Sequence, residues 1–356
     1  MNAPVYARSN RIVELMEQPA ERRDADWTRD AAQQAILLEL ATLPPYLCGM
    51  WSIDGASAGG SVFDTLHAIV FDEMSHLGLA CNLLTTIGGT PVLADERVVP
   101  TYPGPLPGGV RPDLSVFLSG LTPEAADMYS RIEEPEHPVA GPAAAHTSIG
   151  AFYTALLEAF RAHPERITGA RQLIREMPAH GEGNDLVALT TLSAVESAID
   201  VIREQGEGTS ASPENPHPGA RGELAHYYAF REIYHQRKLR KNPDTGEWEF
   251  TGATLPMPEV LPMGTVPRGG WPRTGPSAPD HETRKLLDEF NHVYSTVLRS
   301  LERAWRQDLP AEAERLLDDA VVRMFSLRGP ARQLMGRALP DGSGKTYGPE
   351  FRYTAP

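Results

Sequence analysis

Cysteine is nearly missing from this chain: among 356 residues only Cys48 and Cys81 carry thiols. A scaffold built on disulfides is therefore not expected, and a reducing, cytoplasmic location is. Basic residues are also in short supply. The 33 Lys and Arg against 47 Asp and Glu leave a net charge of −14, which argues against a nucleic-acid-binding surface. No apolar run approaches membrane-spanning length without meeting a charge or a proline, so no membrane partner is expected. The opening Met-Asn-Ala-Pro-Val-Tyr-Ala-Arg lacks the apolar run of a signal peptide. What is plentiful is apolar content: 41% of the residues are hydrophobic, ample for a large core in one domain or two.

The most informative stretch runs from Val62 to Gly88. Alternating steps of four and three collect Val62, Leu66, Ile69, Glu73, His76, Ala80, Leu83 and Ile87, the inward stripe of a bundle helix. Glu73 and His76 interrupt it. Three apart, they point at one spot beside the helix, and a buried carboxylate and imidazole must be compensated, by a metal ion or by a core hydrogen bond. Partners stand on two other stretches. Between residues 30 and 43 the same stepping gives Ala32, Ile36, Glu39 and Leu43; between 223 and 233 it gives Glu223, His226, Phe230 and Ile233, a second Glu-x-x-His. Glu39 and Glu73 lie 34 positions apart, which suits antiparallel helices of about four to five turns with both carboxylates at one level. One lone Glu plus two Glu-x-x-His units is the ligand pattern of carboxylate-bridged di-iron or di-manganese bundles.

The rest of the chain reads as an all-α, ferritin-like helical bundle with a long proline-rich crossover and extra C-terminal helices. Residues 1–25 form a peripheral arm, 26–239 the metal-binding bundle, and 240–356 a wrapping segment with C-terminal helices packed on the same domain. Asp26 or Thr28 caps the first bundle helix. Pro44-Pro45, one turn past Glu39, either kinks it or ends it, with a short helix following to Ile53. Gly55, Gly59 and Gly60 make the hairpin loop. In that arrangement Cys48 and Cys81 fall far apart, as small buried fillers. The crossover spans residues 90–112, where proline forbids a regular helix or a central strand. Short helices are predicted over 114–121 and 123–132, longer ones over 147–162 and 185–205, the last stopping at Gly206 and Gly208. Glu223 would then begin its helix, so a ligand on the preceding antiparallel helix must stand near that helix's end, where Glu204 and Glu207 are found. Glu207 is off the apolar stripe unless the glycines break its phase. Residues 240–280 are rich in proline yet carry Leu255, Met257, Leu261, Met263 and Trp271, so they are predicted to wrap the bundle. Helices over 282–305 and 311–327 and an aromatic tail follow. No repeat and no strand series is visible.

Several motifs taken together resemble one family. They are Leu38-Glu39-Leu40-Ala41-Thr42-Leu43-Pro44-Pro45-Tyr46-Leu47, Asp72-Glu73-Met74-Ser75-His76-Leu77, Asn82-Leu83-Leu84, Tyr102-Pro103-Gly104-Pro105-Leu106-Pro107, Gln205-Gly206-Glu207-Gly208, Glu223-Leu224-Ala225-His226-Tyr227-Tyr228 and Gly348-Pro349-Glu350-Phe351. Their order is similar to that of the ferritin-like family that includes the iminophenyl-pyruvate dimer synthase of violacein biosynthesis and the chromopyrrolic acid synthases of indolocarbazole pathways. The resemblance implies a ferritin-like bundle with a metal site and, for the large characterised members, oxidative coupling of an amino-acid-derived imine in secondary metabolism. One position departs. Where the family carries Glu ahead of Phe-Tyr, this chain has Ala151, which implies an opening on that side, filled by Glu207 or water, and one metal or two.

The expectation is an iron-dependent oxidoreductase, with one or two ions and manganese as the alternative, using oxygen and a small, amino-acid-derived substrate. Its ligands are Glu39, Glu73, His76, Glu207, Glu223 and His226. Tyr46 and Tyr227, with Tyr228, are candidate redox or acid–base groups, the other reading being core aromatics. A homo-oligomer or a partnership with a biosynthetic enzyme is expected. His67, His146 and His235 read as structural or exposed. Two alternatives stand beside this one: a non-catalytic metal-binding bundle, and a degenerate bundle that serves as a partner in a biosynthetic complex.

Overall fold

Asp24 opens the longest helix by turning its carboxylate back onto the amides of Asp26 and Trp27. The cap thus falls two residues ahead of the earlier of the two predicted positions. In the computed structural model, which describes residues 10–55, 60–140, 148–176, 184–217 and 222–356, a short α1 (Arg11–Met16) precedes this α2 (Ala25–Ser52). The helix runs through Pro44 and Pro45 without ending there. Each proline lacks the amide that would serve the carbonyl four residues back, so Leu40 and Ala41 lose their helical donors. The Tyr102 hydroxyl takes over at Ala41, donating to its carbonyl at 2.8 Å. A second phenol, Tyr129, donates to the Pro45 carbonyl at 2.8 Å. Gly49 makes this approach possible, because a Cβ there would lie 2.6 Å from the Tyr129 oxygen.

Beside α2 packs α3 (Ser61–Thr86); the bundle is completed by α4 (Pro123–Ile132) on α7 (His226–His235) and α5 (Ile149–Ala162) on α6 (Leu192–Gly206). Three predicted helical spans are corrected. Residues 114–121 are extended, with Leu114, Val116 and Leu118 buried in alternation and Val116 paired with Gly104; a repeat of two, not 3.6, governs that run. Residues 185–191 are also extended, because buried polar groups of α3 hold their backbone. Asn82 donates to the Val187 carbonyl and Thr86 to that of Leu189, and α6 starts only at Leu192, capped by Thr191. Likewise α7 starts at His226, since Glu223 and Leu224 are paired in extended form with residues 214 and 215.

The tail adds α8 (His281–Ala304), α9 (Pro310–Ser326) and α10 (Arg328–Met335). One set of buried apolar residues runs continuously from Ile12 to Phe351 and includes Leu255, Met263 and Trp271 of the irregular 240–280 stretch. Among the described residues the strands are a two-residue pair, β1 (Arg240–Lys241) and β2 (Trp248–Glu249). Cys48 and Cys81 are buried free thiols. No helix of the described residues is long and apolar enough to cross a membrane. Gly59, His146 and the predicted helix start at Thr147 lie outside the described residues.

Candidate metal centre

Six elements converge on one buried point. Glu39 comes from α2, Glu73 and His76 from α3, and all three are at least 96% buried. His226 is the first residue of α7, and Glu133 is the residue that closes α4. Tyr153 arrives from α5 and Gln205 from the last turn of α6. Two donor triads result: Glu39, Glu73 and His76 form one, and Glu73, Glu133 and His226 the other, with the donor atoms of each within 4.8 Å of one another. Glu73 belongs to both.

Hydrogen bonds orient these groups. Thr42 donates to Glu73 Oε2 at 2.6 Å, Tyr153 to Glu39 Oε1 at 2.5 Å, and Tyr46 to Glu133 Oε1 at 2.5 Å. His76 Nε2 meets Gln205 Oε1 at 2.7 Å. An amide oxygen can only accept, so Nε2 carries the hydrogen, and Nδ1 turns its lone pair toward Glu73 Oε1 at 3.5 Å and Glu39 Oε2 at 3.8 Å. His226 repeats the pattern. Its Nε2 lies 3.0 Å from Asp72 Oδ2, and its Nδ1 lies 2.9 Å from Glu73 Oε1 yet has no hydrogen-bond partner among the described residues. Imidazoles whose outer nitrogen is fixed by a carboxylate or carbonyl are typical of metal ligands.

Electrostatics point the same way. Burial and the neighbouring Glu73 charge push Glu39 up to about 7 and Glu133 up to about 8. Burial would also raise Glu73, but the two imidazoles beside it hold it well below the usual carboxylate range. Burial disfavours charge on His76, yet Glu73 and Glu39 lift it to about 9, and carboxylates raise His226 further against the same opposition. So much buried negative charge calls for positive charge, as protons or as a cation. His226 Nδ1, 2.9 Å from Glu73 Oε1 but without a hydrogen bond among the described residues, stands among carboxylates whose other oxygens are held by Thr42, Tyr153 and Tyr46, an arrangement that fits a cation. Three carboxylates with two imidazoles form a set suited to iron or manganese.

The structure brings together Glu39, Glu73, His76 and His226, with Tyr46 bonded to the cluster through Glu133. It does not bring Glu223, which is exposed and three residues ahead of the helix it was expected to start. Burial and Asp72 raise its pKa, but it joins neither triad. Glu207 borders the cluster without joining it. Its carboxylate accepts from the Gly150 amide at 2.6 Å and from the Ser148 hydroxyl at 3.2 Å, at the start of α5. There it closes the side on which Ala151 was expected to leave an opening. Tyr227 is elsewhere, packed edge-on against Tyr228 in a separate apolar group, and Tyr228 donates no bond to the cluster but binds Val139. Glu133, Tyr153 and Gln205 escaped the sequence reading. For Glu133 a signal existed: Ala126, Tyr129 and Glu133 follow the same three-and-four stepping, with the last hidden against the proline loop.

Carboxylates and imidazoles meeting inside a bundle of paired helices define a helical-bundle protein with a candidate dinuclear metal centre. A family model described as Ferritin-like matches residues 32–235, more than half of the chain. The chain belongs to the ferritin-like family. Among solved structures it is similar to a ferritin-like protein from Caulobacter vibrioides, with 21% sequence identity, a TM-score of 0.60, and coverage of 92% of this chain and 97% of that one. At that identity the likeness speaks for the fold. No curated protein matches the chain.

Proposed function

We propose that this chain is a non-haem metalloprotein whose two triads would hold iron or manganese, and that it takes part in the oxidation of a small molecule by oxygen. The observation that carries the reading is the sharing of one carboxylate by two carboxylate–imidazole triads. Glu39, Glu73 and His76 would hold one ion, and Glu73, Glu133 and His226 the other. Bound there, redox-active ions would supply the electrons that oxygen reduction needs. The chain's own groups do the remaining work. Tyr153 and Tyr46 each engage one oxygen of Glu39 and Glu133. Gln205 and Asp72 fix the imidazoles with Nδ1 inward. Tyr46 is bonded to Glu133, and burial raises its own pKa well above the usual phenol value, so it keeps its proton and serves as a neutral hydrogen-bond donor that positions that carboxylate. The resemblance of the motif order to that of the imine-coupling synthases supports an amino-acid-derived substrate, and the sparse cysteine supports a cytoplasmic setting.

A second reading is favoured by one dimension. The cavity beside the cluster, between Glu39, Glu73, Glu133, Gly150 and Glu207, measures about 20 Å³. That is room for about one water-sized group and too little for an organic substrate, as a metal-holding bundle without organic turnover would have. Anaerobic ferrous loading, followed by metal analysis and oxygen consumption, separates the two. Two irons per chain with oxygen uptake that rises on adding an aromatic amino acid imine support the oxidase; two irons without that rise support the holder. A purified, iron-loaded chain that retains no metal overturns both.

A further inference from the structure

A far larger cavity, about 290 Å³, lies between α2, α3, α8 and α9. None of the residues that line the small space beside the metal cluster lines this one. The two central helices turn different faces to each: Leu43 and Leu47 of α2 and Met74 of α3 face the large cavity, while Glu39, Thr42 and Glu73 face the cluster. Native cores leave few voids larger than a water molecule, and an apolar cavity of about 150 Å³ already admits benzene. This space is therefore too large to be a packing defect.

Two hydroxyls line it without partners. Ser75 Oγ and the Tyr294 phenol belong to residues 2% and 5% exposed, and neither has a hydrogen-bond partner among the described residues. Leaving a buried hydroxyl unpaired is costly and rare. Most of the remaining wall is hydrocarbon, with Trp51 and Trp305 among its rings. The charged residues of the lining stand at the edge: Arg175, which pairs with Asp318, and the exposed Glu176. Phe325, at the same edge, is 61% exposed, an apolar lip open to solvent.

We infer that this cavity is a binding site for a small, neutral, largely hydrocarbon molecule with one oxygen function, whose oxygen pairs with Ser75 and Tyr294. The inference stands on this cavity alone and does not depend on what the metal cluster holds. Calorimetric titration of the purified chain with 2-naphthol tests it. Saturable binding of one molecule per chain is expected. Val321→Trp, which fills the space from α9, should abolish that binding while circular dichroism and thermal unfolding stay at the level of the parent. A Ser75→Ala, Tyr294→Phe double variant should fold at least as stably and bind about tenfold more weakly, the loss expected of about one hydrogen bond. Absence of saturable binding by the parent up to the solubility limit overturns the proposal. So does undiminished affinity in the double variant, which decides the matter should Val321→Trp fail to fold.

Discussion

Glu73 is the residue through which both triads communicate, and its neighbours divide into those that set its charge and those that set its geometry. Glu133 and Glu223 make a sharp comparison at this scale, one buried against His226 and the other exposed ahead of α7. Glu133→Gln is expected to reduce bound iron from two ions per chain to one, whereas Glu223→Gln leaves two; metal analysis after anaerobic loading reads both. Asp72 touches no proposed ion but fixes His226 through Nε2. Asp72→Asn should weaken metal affinity about 10- to 100-fold with stoichiometry kept, seen in a competition titration with a chelator of known affinity. Unchanged affinity would show that His226 is oriented by packing alone.

Among the elements, the legible ones were those whose apolar period and length agreed. Glu39, Glu73 and His76 sit in the middle of long helices, so stepping along the apolar stripe is enough to bring them to one level. Glu223 broke the rule because the stepping assumed a helix where residues 223 and 224 pair in extended form with 214 and 215; a long-range backbone pairing outweighed local period. The 185–191 segment failed for a related reason, being held by Asn82 and Thr86 from α3. Tyr46 and Tyr227 look alike in sequence, and only tertiary packing separates the one on α2 bonded to Glu133 from the one on α7 packed edge-on against Tyr228. The Pro44-Pro45 step left two outcomes open, and the phenols that serve its backbone come from residues 102 and 129, beyond any local window. Tyr102→Phe leaves the Ala41 carbonyl without its donor and should lower stability by about 1–3 kcal/mol in denaturant unfolding. A change below a few tenths would mean that water reaches that carbonyl.

For the molecule as a whole, Glu207 ties stability to pH. As a residue it is half-buried, but its carboxylate is the enclosed end, and burial lifts its pKa from 4.5 to about 7. The folded chain therefore binds more protons than the unfolded chain between those two values. Its contribution to stability is greatest at the acid end of that window, falls as pH rises through it, and is level above it. In the metal-free protein, Glu207→Gln should remove a slope worth on the order of 3 kcal/mol across the window. Unfolding curves of parent and variant at pH 4.5, 6 and 8 provide the comparison; parallel curves at all three would place the carboxylate in contact with water. The same carboxylate sits 2.4 Å from where a Gly150 Cβ would be, so this corner has no slack for a side chain.

The stitching of the central helix by distant phenols bears on how the chain assembles. Residues 46–52 lie beyond two prolines that withhold backbone donors, and the hydroxyls that bind the Ala41 and Pro45 carbonyls sit about 60 to 85 positions downstream of them. A nascent chain that has emerged only as far as the hairpin thus has an Ala41 carbonyl without the donor it finds in the folded protein. The Ala41 carbonyl gains its donor only when the crossover delivers Tyr102, and the Pro45 carbonyl meets Tyr129 only when α4 docks, so these bonds of the central helix form as the bundle closes.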